Sequence, residues 1–242
     1  MNKSFCYLLF ALLSVPSHFL FAHTPVEFLE VLEGKPGNAI KHDVETKSVL
    51  DAAKRTVSLQ GPTHFSLGVG CSDRAAKTPT AHLSWYKITD PAKQEIREVS
   101  VIDLIRGAEA KTMKVGKAEY FLTPAQRITT GPPPKVPDGL DHYTAYRIED
   151  AKPYSLDVKL SGSVGGADRK IGKAVYLCVA SEQWHHDDYS SASHSRDCFV
   201  VYELSETSGS APLNAIDEFG LHQITTGKSS FLCVKGSLSL AN

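Results

Sequence analysis

The densest run of reactive side-chain types in this chain is Trp184-His185-His186-Asp187-Asp188-Tyr189, followed by His194 and Asp197. Imidazole and carboxylate together offer neutral nitrogen and anionic oxygen, the donor set of zinc and related transition metals. His185, His186, Asp187, Asp188 and His194 are therefore the candidate ligand or metal residues. Their spacing matches no defined metal motif, and adjacent histidines on a loop reach one ion only through a tight backbone turn. The competing reading is a solvated polar loop between structural units. A second candidate is His23. If an export signal is cut after Ala22, His23 becomes N-terminal. Its amino group and imidazole would then chelate copper if His42, His64, His82, His142 or His222 approached. The competing reading is that a histidine simply follows the cut.

No nucleophile or zinc-protease motif of the G-x-S-x-G or H-E-x-x-H kind is present, so no catalytic residue is assigned. Three Gly-Lys pairs, at Gly116, Gly172 and Gly227, bear a faint likeness to a phosphate loop. Ala167 and His222 stand where that motif requires its first glycine, and strands follow in place of a helix. These pairs are read as turns between strands.

Composition narrows the classes further. Lys3, an apolar stretch from Phe5 through Val15 and Phe19-Leu20-Phe21, then Ala22, read as a secretory signal over residues 1–22. Pro16, Ser17 and His18 interrupt the stretch short of the ~20 apolar residues of a spanning helix. No membrane span is expected once the signal is removed, and the localisation expected is secreted, periplasmic or extracellular. Without Lys3 the chain carries 25 Lys and Arg against 27 Asp and Glu. That balance speaks against nucleic acid as a partner. Export permits disulfides, and four cysteines follow the signal: Cys71, Cys178, Cys198 and Cys233. The pairing favoured is Cys198–Cys233 with Cys71–Cys178. The rival, Cys178–Cys198, would tether the His/Asp loop.

What positions these residues is a repeat. Gly116-Lys117-Ala118-Glu119-Tyr120-Phe121-Leu122 returns as Gly172-Lys173-Ala174-Val175-Tyr176-Leu177-Cys178 and as Gly227-Lys228-Ser229-Ser230-Phe231-Leu232-Cys233, at offsets of 56 and 55. One period earlier, His64-Phe65 lies over Tyr120-Phe121. Each unit opens on a run such as His82-Leu83-Ser84-Trp85-Tyr86-Lys87-Ile88, alternating and rich in aromatic and β-branched residues. The fold class expected is all-β: about four tandem units of four short strands, packed as sandwich-like modules, with a four-bladed propeller as the alternative. The units are expected at 23–71 (degenerate), 82–128, 142–180 and 197–238. Turn-rich separators, including Gly131-Pro132-Pro133-Pro134, lie between them.

On His82/Tyr86/Lys87, His142/Tyr146/Arg147, Asp217-Glu218-Phe219-Gly220, Leu177-Cys178 and Leu232-Cys233, the chain resembles an uncharacterised family of secreted bacterial repeat domains. Units of that family read C-Y-K … D-Q-F-G … L-C-x-P. The resemblance covers residues 82–234 and implies secretion and β-repeats, with no activity attached. Asp103 is followed by Leu-Ile, Ser161-Gly162 replaces the acidic turn, and Cys198 stands four residues before Tyr202. The functional expectation is an exported, non-catalytic β-repeat protein, binding a surface protein or a glycan or serving structurally, with no cofactor. The alternative is a metal-binding protein or metalloenzyme using loop 184–197 or His23.

Overall fold

The computed structural model describes residues 26–37, 40–72, 74, 80–89, 94–132, 135, 139–164, 168–207 and 209–240. The signal segment and His23 lie outside them. Among the described residues there is no helix, hence none long and apolar enough to cross a membrane.

Alternation of apolar and polar residues builds strands here, and they fall into sets of short, short, long. The first set is β1 (Phe28–Pro36), β2 (Ile40–Ser48) and β3 (Arg55–Gly68), extended by β4 (Gly70–Cys71). The second is β5 (His82–Ile88), β6 (Arg97–Asp103) and β7 (Gly107–Ile128). The third is β8 (His142–Ile148), β9 (Leu156–Ser161) and β10 (Asp168–His185), followed by β11 (Asp188–Ser190). The last is β12 (Asp197–Thr207), β13 (Ala211–Asp217) and β14 (Gly220–Leu240).

All pairing is antiparallel, and it runs between sets as well as within them. Each opening strand lies between its own long strand and that of the preceding set. The order β1-β3-β5-β7-β8-β10-β12-β14 thus returns to β1. Each middle strand forms a hairpin with its own long strand. It then reaches the far end of the long strand two sets away: β2 to β10, β6 to β14, β13 to β7, and β9 to β4. The middle strands leave the closed ring, so the body is one large all-β sheet folded over itself in sandwich-like layers, not a plain barrel. Hydrogen bonding between sets also removes the propeller alternative, whose blades are separate sheets.

The expected turn at Gly-Lys is a bulge. The runs on either side of it are one continuous strand, with register shifts beside Ala118 and Ala174, so each set has three strands where four runs were read. The next set's opening strand crosses at the glycine, most closely in the second and third sets. A Cβ on Gly172 would sit 3.1 Å from the Glu203 Cβ, and Lys173 pairs with the same Glu203 at 3.4 Å.

Alternation along the opening strands divides the core. Leu29, Val31, Leu83, Trp85, Tyr143, Ala145, Phe199 and Val201 join one cluster inside the ring. Four repeat-equivalent rings complete it: His64, Tyr120, Tyr176 and Phe231, with successive centroids 5.5, 5.5 and 6.1 Å apart and 6.1 Å from last back to first. The opposite face carries Tyr86, Tyr146 and Tyr202 into a second cluster. Each of these hydroxyls donates to an acid from two sets away: Tyr86 to Asp217, Tyr146 to Asp51 and Tyr202 to Asp103, at 2.7–2.8 Å. The β1 residue at this register is Leu32, and its counterpart turn, at Ser161-Gly162, has no acid there. A buried ion pair stands nearby instead, Arg169 with Glu30 at 3.1 Å, completed by Ser163 and Ser229 hydroxyls on the same carboxylate.

No disulfide forms among the described cysteines, and the reason is the same alternation. Cys233 pairs with Val201 and Cys198 with Gly236, placing the two thiols three residues apart in register and on opposite faces. Cys178 and Cys233 point into the ring cluster, while Cys71 and Cys198 lie in the other. This separates Cys198–Cys233, Cys71–Cys178 and Cys178–Cys198 alike. Burial pushes the Cys178, Cys198 and Cys233 thiols well up from their ordinary range.

Candidate functional site

Register places the chemistry. Gln183 of β10 lies opposite Thr46 of β2, and alternation puts Gln183 and His185 on the face that carries Thr46, Val44 and His42. His42 and His185 meet with centroids 5.7 Å apart at 90°. The turn after β13 packs Phe219 against both, 4.5 Å from His42 in a stacked arrangement and 5.2 Å from His185 edge-on. His186 takes a positive φ of 54° and closes the tight turn into β11, bringing its ring 4.2 Å from that of His185.

The other members of the His/Asp loop go elsewhere. Asp187 sits in the turn and Asp188 opens β11 opposite His185, both exposed. His194 is drawn to the start of β8, where Asp141 accepts from the Ser193 and His194 amides at 3.1 Å. Among the described residues, no three His, Cys, Asp or Glu side chains are grouped so as to hold a metal ion.

The turn Asp217-Glu218-Phe219-Gly220 is the centre of the cluster. Asp217 uses both oxygens internally. One accepts from the Phe219 amide at 2.9 Å and lies 2.9 Å from His222 Nε2, and the other takes the Tyr86 hydroxyl. His222 and Asp217 side chains are 2% and 0% exposed. Burial, then the Asp217 charge, pushes the Tyr86 hydroxyl far up, so this triad is a sealed structural bond set with no exposed reacting atom. His42 is held below its ordinary value by burial and then by His185, and its Nε2 is buried without a partner.

Glu218 faces the other way. His142, stacked on Phe121 at 5.7 Å, sets its Nε2 3.2 Å from the Glu218 carboxylate. Two further polar ends are buried within reach of that carboxylate, Thr123 Oγ1 and Gln183 Nε2, on residues 1% and 2% exposed. Neither meets hydrogen-bond geometry with any protein atom. Burial works to raise the Glu218 carboxyl. The bonds and charge of His142, with Thr123 and Gln183, outweigh it and hold the carboxyl below its usual range. The Glu218 side chain is still a quarter exposed, and it opens onto a cavity of about 410 Å³ bordered by Thr123, Pro124, Gln126, His142, Ser190 and Ile216. A larger depression of about 570 Å³ lies against β9 and β10. Its buried charge, Arg169, is already spent on Glu30, Ser205 and Ser229, so it offers a ligand less.

A family described as a repeat of unknown function, DUF7450, matches residues 82–235. The chain belongs to that family. No curated protein and no solved structure matches it. The family match runs from the first residue of β5 into β14, and so includes Thr123, His142, Gln183 and Glu218 but leaves β1 to β4, with His42, outside.

The sequence singles out His142 and the Asp217–Gly220 turn but gives Glu218 no role. Thr123 and Gln183 went unnoticed. Nothing local distinguishes them, since they become notable only when β7, β8, β10 and the β13–β14 turn are brought together.

Proposed function

We propose that this protein is an exported, non-catalytic binding protein of the cell surface or extracellular space, with the cavity at Glu218 as its recognition site. One observation carries the reading. At this place a loop between sets and a repeat turn converge on a concave, polar surface where Glu218, with His142 and Thr123 beside it, keeps a quarter of its side chain exposed. Elsewhere the buried acids and hydroxyls described above are consumed by fixed bonds, as in Tyr202–Asp103 and Arg169–Glu30. Binding groups presented by loops on a rigid β-scaffold are the usual arrangement of recognition proteins. Export rests on the signal-like residues 1–22.

The test is a binding screen of the folded chain against isolated surface glycans and purified surface proteins, alongside the variant Glu218→Ala. Binding that weakens in the variant without turnover of the bound partner supports the reading. Binding indifferent to Glu218, or chemical conversion of the partner, overturns it. N-terminal sequencing of the protein recovered outside the cell checks export, with His23 the first residue expected.

A further inference from the structure

Resting on that reading, we infer that the Glu218 cavity takes one sugar ring of an uncharged glycan, held through neighbouring hydroxyls. The groups facing the cavity set this chemistry. Glu218 presents an ionised acceptor able to take two hydroxyl protons at once, the strong charge-assisted kind of bond. His142, on the cavity border, sets its Nε2 on the same carboxylate, and Thr123 lines the wall with a hydroxyl of either sense. Ser190 and Gln126 add neutral polar groups at the border, and Pro124 and Ile216 add apolar surface. A ligand that both donates and accepts at adjacent atoms satisfies this set, and vicinal hydroxyls do so.

Other classes fit less well. An anion would meet Glu218 with Asp217 beside it. A cation would meet the ring of His142 and a carboxylate whose charge His142 already shares. An apolar ligand would cover the partly exposed Glu218 carboxylate without giving it a hydrogen bond, which costs about 1–3 kcal/mol or more. The volume of about 410 Å³ lies in the lower part of the range for small-molecule sites, room for a single ring and the start of its neighbour.

Saturation-transfer NMR on the whole chain tests this, with free D-glucose, D-galactose, D-mannose, N-acetyl-D-glucosamine and N-acetylneuraminate as probes. At least one neutral sugar should bind. Glu218→Gln and Thr123→Val should each weaken it by roughly tenfold or more, the size of one lost hydrogen bond of this kind. Glu203→Gln, at an exposed ion pair on another surface, should leave it unchanged. If Glu218→Gln fails to fold by circular dichroism, Ser190→Tyr, which fills the cavity from β11, serves in its place. Preference for N-acetylneuraminate, or sugar binding unaffected by these variants, overturns the inference. If no sugar binds but a purified surface protein does so in a Glu218-dependent way, the glycan assignment falls and the binding function stands. If nothing binds, both fall.

Discussion

His64 occupies the position that the other sets give to Tyr120, Tyr176 and Phe231, so a titratable ring stands in an aromatic layer. Burial, opposed by Glu33, pushes its imidazole down to about 4, and burial with Arg127 does the same for His82. Both are neutral in the folded protein. As pH falls below the ordinary value of 6.5, the unfolded chain takes up protons that the folded chain refuses. Their contribution is therefore fully present above 6.5 and is lost as the pH falls toward about 4. Replacing His64 with the Phe of the fourth set should keep the ring contacts and remove part of that decline. Urea midpoints measured across this interval would show it as a shallower slope in His64→Phe; an unchanged slope would mean the ring is solvated.

At the level of elements, glycine in these long strands marks places where another strand passes close. The passages differ in tightness. Gly236 lies on β14 between Cys198 of β12 and Asp103 of β6. A Cβ there would stand 2.7 Å from the Ile102 carbonyl oxygen and 3.2 Å from Cys198 Sγ, and the carbonyl belongs to a paired strand that has nowhere to move. At Gly227 the nearest atom, Glu33 Cβ, is 3.5 Å away. Gly236→Ala should therefore cost about 1–3 kcal/mol, as overpacking does. Gly227→Ala should be close to neutral, since it also restricts the unfolded chain. Denaturant titration of the two variants side by side checks the order.

At the scale of the whole molecule, the degenerate first set closes the structure. β1 fills the place between β14 and β3, β2 pairs with β10, and Glu30 neutralises the buried Arg169. The family match begins only at residue 82. A fragment spanning 82–240 would nevertheless expose one side of β14 and of β5 and leave the guanidinium without its carboxylate. Loss of one partner of a buried ion pair costs about 3–5 kcal/mol, and open strand edges invite association. The fragment should be aggregated or unfolded in size-exclusion chromatography and amide NMR. A monomer with dispersed, sharp resonances would show that the three later sets fold without the first.

The all-β class and the repeat were legible in the sequence because both are written in local order: alternation within a strand, and one glycine-lysine spacing recurring along the chain. The Gly-Lys pairs could not be told apart as turn or bulge. Either makes the same local demand on glycine, and what selected the bulge was the strand from the next set lying across it. Cysteine pairing failed for a related reason. Repeat equivalence gives position along a strand, but facing depends on register, and register sets Cys198 and Cys233 on opposite sides. Contacts such as Tyr86 with His222, 136 residues apart, or His142 with Glu218, exist only because a middle strand crosses to the long strand two sets away. The sequence by itself determined which side chains alternate and how often the pattern returns. Only the tertiary structure decided which buried polar groups consume one another and which are left facing a cavity, because that outcome depends on pairing between segments with no mark of each other in their local order.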